Sequence, residues 1–78
     1  MESIEVTARF EKNGKVIPLN LVWRGHRYTI DNLGRQWQAP DGLHILVMTS
    51  SGRMFELIFL SAESRWVLGK VEPDRMLA

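Results

Sequence analysis

Cysteine is absent from this 78-residue chain. That excludes disulfides and thiolate metal sites, and a small chain without a disulfide framework points to a reducing compartment, the cytoplasm. Long apolar runs are missing as well. The longest apolar stretch, residues 43–48, is interrupted by His44 and falls far short of the ~20 residues a membrane span needs. Residues 1–5 lack a basic leader followed by an apolar run, so no signal peptide is expected. Excess charge of one sign is lacking too: ten basic and nine acidic residues leave a net charge of +1, too little for a general field toward nucleic acid. Catalytic patterns are equally sparse. Ser50-Ser51-Gly52 lacks the flanking glycines of a nucleophile elbow, Gly34 and Gly42 do not make a phosphate-cradling loop, and no two carboxylates fall at a spacing that forces acid–base geometry. His26 and His44 are the only histidines; without Asp31 or Asp41 they make a poor metal site, and His26 reads as a solvated turn residue, His44, at a strand start, as a surface or interface residue. A non-catalytic protein without cofactor or metal is expected.

What the chain does have is period-two patterning. Residues 19–30, Leu-Asn-Leu-Val-Trp-Arg-Gly-His-Arg-Tyr-Thr-Ile, read as two strands joined at Gly25-His26, a two-residue loop with glycine first. Before them, Ile4, Val6, Ala8 and Phe10 alternate with polar residues, as in a strand with one wet face. Asn13-Gly14 is a strong hairpin signal, since both residues tolerate positive φ. Pro18 cannot donate a hydrogen bond and marks a kink, bulge or edge in the return strand. The third strand is expected over residues 27–31.

Residues 32–42 are the least regular stretch. Asn32 and Gly34 favour a turn and Pro40-Asp41-Gly42 favours another; between them Leu33 and Trp37 are expected to fall back onto the core, with a short strand around Trp37 as an option. Two strands over 43–49 and 53–60 turn at Ser50-Ser51-Gly52, residues 61–64 turn again, and 65–71 form the last strand. Turn signals every 8–12 residues predict one all-β domain over residues 1–72. The expected architecture is a five- or six-stranded antiparallel SH3-like barrel, with neighbours in sequence pairing and residues 73–78 as a tail.

Two binding surfaces are legible. Residues 43–60 are apolar on both faces, as doubly buried strands are, yet a barrel this small has one interior. Leu46, Met48, Met54, Ile58 and Leu60 are therefore the candidate protein interface, for a homodimer or a partner protein. The second is an accessory nucleic-acid surface of Arg24, Arg27, Arg35 and Trp37, because small barrels grip single strands with aromatics that stack bases and cations that hold phosphates. Glu56, set among Phe55 and Leu57, is expected to pair with Arg24, Arg27 or Arg65.

Over residues 16–71 the chain resembles a family of small bacterial domains of unknown function. The resemblance rests on Trp23-Arg24-Gly25, Arg27-Tyr28, Ile30, Trp37, then Gly52-Arg53-Met54-Phe55-Glu56-Leu57, and Trp66-Val67-Leu68. Some members are associated with genes of translesion DNA polymerases, which implies a DNA-repair context but assigns no activity.

Overall fold

The structure, a computed structural model, describes residues 2–72. Among the described residues six strands, β1 (Glu2–Phe10), β2 (Val16–Trp23), β3 (His26–Ala39), β4 (Gly42–Thr49), β5 (Met54–Leu60) and β6 (Arg65–Glu72), follow one another without a helix. Each pairs antiparallel with the next, and β6 returns to β1 to close the barrel. Six strands and contiguous pairing match the expectation from turn spacing. The proposed tail over 73–78 lies outside the described residues.

Closure works because two strands, β1 and β3, change neighbours along their length. Residues 2–4 of β1 pair with Trp66–Leu68 of β6, while Glu5 to Phe10 pair with β2. β3 pairs first with β2, at His26 to Thr29, and then with β4, from Ile30 to Ala39. Irregularities between Ile30 and Asn32 and between Leu33 and Gln36 let its fourteen residues turn the corner, since bulges bend a strand and increase its twist. The stretch expected to turn at Asn32 and Gly34 is thus a bulged continuation of one strand. Leu33 does not return to the core; it is 38% exposed.

Local turns follow their residue chemistry. Gly14 has φ 88°, and the Asn13 Oδ1 accepts from the Lys15 backbone N–H at 2.9 Å. At the second hairpin the positive φ values fall on Arg24 (51°) and Gly25 (81°), with Trp23 paired to His26. The loop is therefore Arg24-Gly25, a primed turn that twists with its strands, one residue earlier than expected. Pro18 sits opposite Ala8 at a register shift that leaves Leu19 as the extra residue, 41% exposed; the ladder bond that proline cannot make falls where the ladder is already interrupted.

Inward residues from every strand but β3's second half fill the barrel. Leu21, Ile45, Val47, Phe55 and Leu57 are fully buried, with Val16, Trp66 and Leu68 beside them. Phe55 packs edge-on against Trp23, ring centroids 5.6 Å apart, and lies 5.0 Å from Tyr28. Phe59 and Trp66 make a second aromatic pair, 5.0 Å apart, toward the other end. The one buried polar residue among the described residues, Thr49, is satisfied: its hydroxyl donates to the Arg53 carbonyl at 3.1 Å and meets the Ser51 hydroxyl at 2.8 Å.

Candidate functional site

The outer faces of β3, β4 and β5 form a groove. β4 alternates Ile45 and Val47 inward with His44, Leu46 and Met48 outward, and β5 alternates Phe55 and Leu57 inward with Met54 and Glu56 outward. The β4–β5 register places Met48 beside Met54 and Leu46 beside Glu56. Two adjoining hollows result. One, of about 240 Å³, is lined by Leu33, Gly34, Leu46, Met48 and Met54. The other, of about 280 Å³, is lined by Trp37, Leu46, Met54, Glu56, Lys70 and Glu72. Leu46 and Met54 belong to both. Gly34 matters here: a side chain on it would stand over Leu46, its Cβ 3.5 Å from the Leu46 Cβ.

Four of the five apolar residues expected at an interface, Leu46, Met48, Met54 and Leu60, are partly exposed. Ile58 is not among them. It is 1% exposed, held between Val67 and His44 on the flanking strands. Gly69 gives it room, since a Cβ there would lie 3.0 Å from the Ile58 Cδ1. Ile58 is therefore packed within the subunit and offers no surface.

One end of the groove carries a polar cluster that strand patterning alone did not suggest. His44, expected as a surface or interface residue, keeps 12% of its side chain exposed. Its Nδ1 lies 2.8 Å from Glu56 Oε2 and its Nε2 2.8 Å from Asp41 Oδ1. A neutral imidazole can donate from only one nitrogen, so hydrogen bonds to two ionised carboxylates favour the imidazolium. The Glu56 hydrogen bond first, then that of Asp41, holds the His44 pKa above the ordinary 6.5, against the opposing effect of burial. Asp41 is shifted down from 3.8 by its bond to His44. Glu56 thus pairs with a histidine, not with Arg24, Arg27 or Arg65. The signal was present: a hairpin turning at Ser51 puts residues 44 and 56 on the same face, on adjacent strands, one diagonal step apart. Trp37 stacks on the His44 ring, centroids 5.1 Å apart at 26°, and the Arg35 guanidinium lies 5.3 Å from the Trp37 ring centre. Among the described residues no group of three or more potential ligands could hold a metal ion.

The arginine and aromatic set is divided. Trp37 lines the groove, and Arg35 lies against its ring. Arg24 lies 4.6 Å from the centre of Trp23 at the β2–β3 turn and forms an ion pair with Glu2 at 3.6 Å. Arg53 approaches the same indole at 5.7 Å. The Trp23 Nε1–H is buried without an acceptor; its cationic neighbours are donors only. Arg27 donates to the Asn20 side chain at 2.9 Å and borders a different hollow, beside Glu5, Thr7 and Arg65. The four residues expected to bind nucleic acid therefore do not converge.

No protein-family model matches the chain, and neither the curated proteins nor the solved structures compared with it include a match. The groove and its polar end stand as the candidate site on geometry alone.

Proposed function

We propose that this protein is a non-catalytic interaction module whose β3–β4–β5 groove receives a short extended segment of a partner protein, anchored by apolar side chains. The observation that carries this reading is the pair of joined hollows sharing Leu46 and Met54. Each is on the scale of a large side chain or two, and both are lined in part by methionine, which repacks easily around varied shapes. A two-fold pairing of this face with its own copy would set concavity against concavity, and such an interface must be self-complementary. A narrow segment fills the groove better. Lys70, Glu56 and Glu72 at one end supply charges of both signs to orient it.

The test is selection of heptapeptides displayed on phage, followed by titration of synthetic winners into protein carrying ¹³C-labelled methionine methyls. Shifts at Met48 and Met54, lost in Met54→Lys, support the groove. Winners that bind Met54→Lys as well as the parent refute it.

A second reading, an accessory nucleic-acid-binding module, has one observation in its favour: guanidiniums of Arg24 and Arg35 lie against Trp23 and Trp37. Against it stand the balanced charge and the dispersal of the arginines. Binding of single-stranded DNA that weakens log-linearly with salt and is lost in Arg35→Ala is its required outcome.

A further inference from the structure

The barrel is closed along a short seam. Only residues 2–4 of β1 pair with β6; from Glu5 to Phe10 the strand pairs with β2 on one side, and among the described residues no strand pairs with it on the other. A hollow of about 400 Å³ borders this length, with Glu5, Val6 and Thr7 on one side and Ser64 and Arg65 on the other. Phe10, at the end of the open length, is 58% exposed, the most exposed large hydrophobic among the described residues. An unpaired strand edge is a template for another strand.

The side chains on this edge specify which strand. Glu5, Thr7 and Arg9 point outward, and Val6 and Ala8 inward. An antiparallel copy centred on Thr7 sets Glu5 opposite Arg9 twice, Val6 opposite Ala8 twice, and Thr7 opposite itself. Opposite charges and hydroxyl pairs directly across an antiparallel ladder are favourable. Sliding by one residue puts outward side chains opposite inward ones, and centring on Ala8 sets Glu5 against Glu11. We infer that two copies of this chain join edge to edge through β1, Glu5 of each facing Arg9 of the other, to give a two-fold dimer. Arg9 exchanges its weak exposed contact with Glu11, 3.5 Å long, for the partner's Glu5. The open edge satisfies its backbone groups in the same step.

The test is sedimentation equilibrium up to about 1 mM protein on the parent and on charge variants at exposed positions, with far-UV circular dichroism as the check on folding. Glu5→Arg and Arg9→Glu each set like charges against each other in a homodimer, so each alone should dissociate at least about tenfold more readily. An equimolar mixture of the two restores both attractive pairs and should recover the dimer, as should the Glu5→Arg/Arg9→Glu double variant. A parent that stays monomeric throughout, or a dimer indifferent to these charges, overturns the inference. So does a dimer lost only in Met54→Lys, which would place self-association in the groove.

Discussion

Replacing Gly69 with alanine tests the polar cluster through a residue outside it. The backbone there is not in the left-handed region, so the new methyl group meets only neighbours. Its Cβ would stand 2.5 Å from Glu56 Oε1, 2.9 Å from Glu56 Cδ and 3.0 Å from Ile58 Cδ1. Ile58 is enclosed and cannot retreat; the Glu56 carboxylate, 17% exposed, can swing toward solvent. The bond to His44 Nδ1 is then lost. A hydrogen bond to a charged group contributes about 1.5–3 kcal/mol, and alanine returns about 0.5–1 kcal/mol relative to glycine in a strand. The net loss is about 1–2 kcal/mol, read as a lower urea midpoint at unchanged slope. The same substitution lowers the His44 pKa, followed by NMR of its ring protons, because Glu56 is the principal cause of its elevation. Glu56→Gln, which adds no bulk, should lower it in the same direction. If Gly69→Ala unfolds at the parent's urea midpoint and His44 titrates unchanged, the carboxylate was not confined by the bare backbone beneath it and the argument fails.

Three further outcomes follow from the structure. A histidine whose pKa is raised by folding contributes fully below 6.5 and loses that contribution as pH rises through the raised value; Asp41, whose pKa is lowered, contributes fully above its ordinary 3.8 and changes nothing between pH 5.5 and 8.5. The parent should therefore be more stable near pH 5.5 than near pH 8.5 in urea titrations, and the difference should shrink in His44→Phe. Phe55→Ala empties the centre of the aromatic cluster and should cost about 3–5 kcal/mol, visible as a large fall in melting temperature. Ser64 holds a left-handed φ of 52° in an exposed turn, so Ser64→Gly should raise the unfolding free energy by up to about 1 kcal/mol, read as a higher urea midpoint.

Most of the strand order was legible because the barrel is built from hairpins, and hairpins declare themselves locally. Ile4 to Phe10 alternate, Asn13-Gly14 turns, and residues 43–60 carry apolar side chains on both faces. β3 was only half legible for the same reason that the barrel closes. Its corner is made of two bulges, and a bulge breaks the alternation from which strands are read. Asn32 and Gly34 are the residues of a turn used to bend a strand. The loop at Arg24-Gly25 was missed by one position because arginine seldom takes positive φ, and there the twist of the flanking strands overrode the preference. Ile58 misled because period two assigns it an outward direction without reporting that Gly69 beside it leaves a depression. His44 and Glu56 lie twelve residues apart in sequence, and only the register of the β4–β5 hairpin shows that their side chains meet.

Five of the six strand junctions are spanned by a few residues of chain. The sixth, joining Ser3 to Val67, encloses nearly everything else. Each local junction can form early and cheaply, whereas bringing together groups so distant along the chain carries a larger entropic cost. The cylinder is therefore completed by one late, non-local event on an otherwise rapid assembly. Run in reverse, that junction is the natural line along which the wall can part while the other five remain zipped, leaving a curved open sheet as the first step of unfolding.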